Sequence, residues 1–195
     1  MATSTNTGRW SEGAATVSGR WAILAVAVWC AVMVALPQQV SAASLVPFRA
    51  TVAETFTAGP CPPIPSLCVT STGSGQAAHL GNVRESTVTV LDLASKPGPG
   101  CATDGHAETR ATTLFAANGD QITLVGTGYS CPTGPTTLTA VDSYVVTGGT
   151  GRFSGVSGSG TITATIDLAN GTAVDTFSGV LSQAGGHDIR RLGDG

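Results

Sequence analysis

Two segments of this sequence place carboxyl groups among apolar residues that recur at every second position. Phe48, Ala50, Val52, Glu54 and Phe56 would share one face of a strand, because side chains at i and i+2 point the same way. A carboxyl on such a face loses its water, its pKa rises, and it can serve as a general acid or base. Leu138, Ala140, Asp142, Tyr144 and Val146 repeat the arrangement, which adds a second carboxyl and a phenol as interior polar groups. The competing structural reading puts Glu54 at a sheet rim or in an ion pair with Arg84 or Arg110, since pairing also perturbs buried carboxyls. Glu85 and Glu108 are weaker candidates because their strands alternate less clearly. No catalytic residue is assigned from these patterns alone.

Other chemistry finds little support. Thr147 to Phe153 is glycine-rich, but no Gly-Lys-Ser/Thr follows and no helix is expected after it, so it is not a nucleotide loop. Its glycines supply positive φ and a bulge between two strands. Gly155-Val156-Ser157-Gly158-Ser159 fails the nucleophile-elbow pattern at its last position. His79, His106 and His187 stand alone and no two cysteines have C-x-x-C spacing, so neither a metal site nor a cofactor is expected. With a formal charge of −3 and nine basic residues spread singly, the chain lacks the electrostatic footprint of a nucleic-acid binder.

Residues 1–42 have the pattern of an export signal. Arg9 and Arg20 precede an apolar run from Trp21 to Leu36, Pro37 breaks it, and Val40-Ser41-Ala42 offers small residues to a peptidase. The run falls short of the roughly 20 residues a membrane span needs, so cleavage after Ala42 and no stable span in the mature protein are expected. Secretion would then leave Cys61, Cys68, Cys101 and Cys131, an even number that reads as two disulfides. Chain locality favours Cys61 with Cys68 and Cys101 with Cys131, among three pairings.

Positioning these groups falls to β-structure. Thr, Val and Ile alternate without helical periodicity, and Gly, Pro and Asn punctuate at regular intervals. Thr161 to Leu168 alternates without a fault, and Asn170-Gly171 and Asn118-Gly119 are the dipeptides best suited to tight hairpins; the first also matches the Asn-Gly-Thr glycosylation pattern, which the turn explains. Eight strands are expected, near 48–57, 67–78, 82–93, 105–116, 121–130, 137–147, 156–168 and 172–182. An all-β, eight-stranded antiparallel barrel over residues 43–182 follows, with a two-sheet sandwich as the alternative and a loose tail over 183–195.

Gly148-Gly149-Thr150-Gly151-x-Phe153, with Gly158 beyond it, resembles the signature of plant dirigent proteins and the wider allene oxide cyclase barrel superfamily. His79-Leu80-Gly81, Phe115 to Asp120 and Asp167 to Thr172 are similar to landmarks of secreted bacterial proteins sharing that barrel, and the likeness spans residues 47–182. Val156-Ser157-Gly158 departs from the Ala-Arg-Gly step usual in dirigent-type sequences. The resemblance implies a calycin-like barrel, a cofactor-independent cyclase or isomerase, and a dimer or trimer. The residues themselves favour an exported module binding a small apolar molecule inside the barrel. A third reading is a cell-surface interaction protein with a filled barrel.

Overall fold

The computed structural model describes residues 44–96, 98–101 and 104–182; the expected leader (1–42) and tail (183–195) lie outside the described residues. Eight strands form, each where the alternation places it: β1 (Leu45–Cys61), β2 (Ser66–Ala77), β3 (Gly81–Asp92), β4 (His106–Ala116), β5 (Gln121–Pro132), β6 (Thr137–Gly149), β7 (Ser157–Asp167) and β8 (Thr172–Ser182). Every strand pairs antiparallel with its neighbour in sequence, and β8 returns to β1 to close the barrel. Closure removes both free edges, and the sandwich alternative does not occur. β1 is longer than the sequence suggested, because Pro47 and Gly59-Pro60 are accommodated inside its ends.

Side chains alternate inward and outward, so the inner set is read directly from the strands. At one end the barrel is packed solid: Val46, Phe48, Leu80, Leu114, Ile122, Leu124, Phe153, Phe177 and Leu181 belong to one buried cluster. The glycine-rich turn seals this end. Thr147 is skipped in the β5–β6 register, where Thr123 faces Gly148 and Leu124 faces Val146, which is the expected bulge. A single 3-10 turn, Gly151–Phe153, follows and carries the fully buried Phe153 into the barrel. Gly151 has φ of +57°, and a Cβ there would collide with the Asp120 carboxylate, which also accepts a hydrogen bond from the Arg152 backbone N–H at 3.4 Å. The signature residues Gly148, Gly149, Thr150, Gly151 and Phe153 therefore build a plug.

The opposite end is formed by the β1–β2, β3–β4, β5–β6 and β7–β8 connections. Both disulfides sit here and have the pairing favoured by locality: Cys61–Cys68 closes the β1–β2 hairpin and Cys101–Cys131 ties the β3–β4 connection to β5, with Cα separations of 5.6 and 5.2 Å. Outside, β5 and β6 present Val125, Tyr129, Val141 and Val145 to solvent between threonines and serines, with no charged residue among them.

Candidate functional site

Between the sealed end and the disulfide-bound mouth lies a layer of buried ionisable side chains. Five strands deliver them: Glu54 from β1, Glu85 from β3, Glu108 and Arg110 from β4, Asp142 from β6 and Asp175 from β8, none more than 7% exposed. Burying such ions costs several kcal/mol each unless they are paired or neutralised. Arg110 does most of the pairing. Its guanidinium lies against the Asp175 carboxylate, places Nε 3.4 Å from Asp142 Oδ2, and sets Nη2 3.8 Å from Glu108 Oε1. It is the only buried cationic side chain among the described residues.

One guanidinium does not balance five carboxyls. Thr87 donates to Glu85 Oε1 at 2.8 Å and its hydroxyl also meets that of Thr112 at 2.8 Å, yet Glu85 Oε2, Glu54 Oε2, Glu108 Oε1 and Asp175 Oδ1 have no hydrogen-bond partner. Burial, reinforced by the charges of Asp175 and Glu54, pushes Glu85 up to about 8. Burial and the nearby Asp142 likewise raise Glu108 to about 8, against the pull of Arg110. Asp175 rises to about 7 because desolvation and Glu54 outweigh the guanidinium it touches, and burial raises Asp142 as well. Burial alone would lower the Arg110 pKa; its surrounding carboxylates reverse that and keep it charged. The layer therefore holds protons near neutral pH and can both give and take them.

The mouth side of this layer opens into a cavity of about 100 Å³. Its walls are Phe56, Ala58, Leu67, Val69, Leu91, Leu138, Ile166 and Leu168, while Glu54, Glu108, Arg110, Ser71, Thr89 and Ser130 supply its polar surface. The result is an apolar cup over an acidic floor. Its size is of the order of the ~150 Å³ apolar cavity that admits benzene.

All three sequence candidates point inward, but they occupy different places. Glu54 reaches the cup and makes no ion pair, since Arg84 faces outward with its guanidinium 5.6 Å from the Phe115 ring centroid. Asp142 is fully buried beside Arg110, and Gly128 on the adjacent β5 makes room for it: a Cβ there would sit 2.5 Å from Asp142 Oδ1. Tyr144 belongs to the apolar cluster, edge-on to Phe177 with ring centroids 6.3 Å apart, and does not line the cup. Burial pushes its phenol up to about 12.

Asp175 had no sequence prediction, although Ala173 and Phe177 flank it at i±2 as apolar residues flank Glu54. Outward Val174 hid the alternation. Glu85 and Glu108, read as weaker, are full members of the layer; their signal was the run of inward threonines, Thr87, Thr89 and Thr112, that prepares a polar interior.

Ligand oxygens of Glu54, Glu85 and Asp175 all lie within 4.8 Å of one another. Such an all-oxygen set suits a hard cation rather than zinc, but Arg110 already occupies one of its members. The barrel and its cup define a closed antiparallel barrel with a one-ended interior site. No protein-family model matches the chain, and no curated protein matches it significantly.

Proposed function

We propose that the protein is an exported barrel whose open mouth binds a small, largely apolar molecule. The carrying observation is the cup: apolar walls from six strand and turn segments converge on buried polar atoms that lack hydrogen-bond partners in the protein. Ligand sites have this composition, an apolar body with a few placed polar groups. Export is supported by the leader pattern of residues 1–42 and by two cysteine pairs at bonding distance. No helix among the described residues is long and apolar enough to cross a membrane.

The test is native mass spectrometry of protein secreted by an exporting host, run beside Ala58→Trp. Ala58 is exposed at the cup wall, so an indole there would cover the cavity with little effect on folding. A small molecule released from the wild type and missing from the variant supports the reading. A bound molecule retained equally by the variant refutes it.

A second reading is favoured by the proton-holding carboxyls beneath the cup: an acid–base isomerase or cyclase, the activity implied by the resemblance to the allene oxide cyclase barrels. Glu108 is the group placed to protonate a bound substrate, because it lines the cup and its pKa is raised to about 8. Conversion of the released compound to a rearranged product, lost in Glu108→Gln, would establish this reading over simple binding.

A further inference from the structure

The structure assigns a charge to the occupant of the cup: we propose that it is an organic cation, a primary ammonium on a small apolar body, held by Glu54 and Glu108. This rests on the cup being a ligand site, and it specifies the class of ligand.

Carboxyls outnumber cations in the layer beneath the cup. Facing the layer are Glu54 on β1, Glu85 on β3, Glu108 and Arg110 on β4, Asp142 and Tyr144 on β6, and Asp175 on β8; β2 and β5 contribute only the hydroxyls Ser71 and Ser130, and β7 only apolar side chains. His106, on the same face of β4 two residues before Glu108, is half-buried with an unpartnered Nδ1. Arg110 is committed to Asp175, Asp142 and Glu108. Among the described residues no cation lies within 4.0 Å of Glu54, which is 7% exposed, lines the cup and leaves Oε2 without a hydrogen-bond partner. Glu108 lines the same cup, and its Oε1, 3.8 Å from Arg110 Nη2, accepts no hydrogen bond.

An ammonium supplies what is missing: a positive charge beside Glu54 and N–H donors for Glu54 Oε2 and Glu108 Oε1, with the Ser71 and Ser130 hydroxyls available as further acceptors. An anion would meet an excess of carboxyls, with the one guanidinium already taken. The walls select the rest of the ligand. Leu91, Leu138 and Ile166 cannot solvate a hydrated metal ion, but they match an alkyl or aryl body.

Proton linkage separates this class from a neutral one. A cation favours ionised carboxyls, so its binding must expel protons wherever Glu108 is still protonated, and affinity should rise with pH toward about 8. A neutral alcohol or ketone accepting from the protonated acid would show the reverse dependence.

The experiment is calorimetric titration of the purified, disulfide-bonded protein with benzylamine, benzyl alcohol and benzoate, which share one ring and differ in charge. Runs from about pH 6 to about pH 8.5, in buffers of different ionisation enthalpy, count the protons released. The expected result is benzylamine binding at least about tenfold tighter than benzyl alcohol at the upper pH, tightening as pH rises, with net proton release. Glu54→Gln should weaken benzylamine by about tenfold and leave benzyl alcohol within about twofold. Equal or tighter binding of benzyl alcohol overturns the charge assignment while the binding reading survives. Displacement of benzylamine by Ca²⁺ at lower concentration reassigns the site to an inorganic cation. Failure of all three probes, together with no host compound blocked by Ala58→Trp, overturns the binding reading as well. The wild-type pH dependence keeps the test decisive if the variant does not fold.

Discussion

Arg110 and Asp175, 65 residues apart and carried by the non-neighbouring strands β4 and β8, meet inside the barrel as a buried ion pair. Because the two strands are not hydrogen-bonded to each other, this contact spans the interior and joins opposite walls. The pair reaches close to Glu54 without serving it: a carboxylate oxygen of Asp175 lies within 4.8 Å of one of Glu54, yet among the described residues no basic side chain comes within 4.0 Å of Glu54.

Arg110→Met should therefore destabilise the protein by about 3 to 5 kcal/mol, the usual effect of leaving buried charges without their partner. The loss should be larger at about pH 8 than at about pH 5, since carboxyls that have taken up protons no longer need the guanidinium. Urea denaturation at the two pH values measures both effects. Glu108→Gln in the Arg110→Met background should recover part of the loss at the higher pH.

The acidic layer makes the whole fold sensitive to pH. Glu85 and Glu108 titrate near 8 in the folded barrel and near 4.5 as free side chains. Between those values the folded protein holds more protons than the unfolded chain, so unfolding becomes easier as pH rises. The stabilising contribution is complete below about pH 4.5 and is lost through about pH 8. Thermal unfolding should show Tm falling by on the order of 5 °C or more between about pH 5 and about pH 8.5. Glu85→Gln should flatten that slope.

The strand pattern was legible because β1, β6 and β7 alternate clearly and because Asn-Gly turns punctuate two of the hairpins. Glu54 and Asp142 were legible for the same reason, having apolar residues at i±2. Asp175 was not, because Val174 and Val180 put apolar side chains on the solvent face and blurred which face was inner. Which carboxyl reaches the cup was also beyond the sequence. That depends on strand register and barrel tilt, and these bring Glu54 and Glu108 to the mouth while Asp142 and Tyr144 stay below it.

Tyr144 illustrates the consequence. Its hydroxyl is buried without a partner, and Gly160 and Gly179 lie so close that a Cβ at either would sit 2.7 or 2.5 Å from it. Tyr144→Phe removes an unsatisfied buried group, so stability should be unchanged or higher by up to about 1 kcal/mol. Benzylamine affinity should stay within about twofold, because the ring lies outside the cup. Denaturant titration and calorimetry on one preparation test both statements.

Both disulfides frame the mouth, and their removal should act there first. In a chain-entropy estimate Cys101–Cys131 contributes roughly 3 to 4 kcal/mol and Cys61–Cys68 about 2.5. Hydrogen exchange after reduction should speed up in the hairpin ends around Cys61 and Cys131, while the strands around Leu114 and Leu181 stay protected.

The central claim is that the interior is accessible from the mouth and sealed at the other end. Methyl NMR of protein labelled at Leu, Val and Ile, titrated with benzylamine, tests it directly. Shifts should concentrate on Leu67, Val69, Leu91, Leu138 and Ile166, with Leu114, Leu124 and Leu181 unmoved. Shifts centred instead on the outward methyls of Val125, Val141 and Val145 would contradict it and move the functional surface to the outside of the barrel.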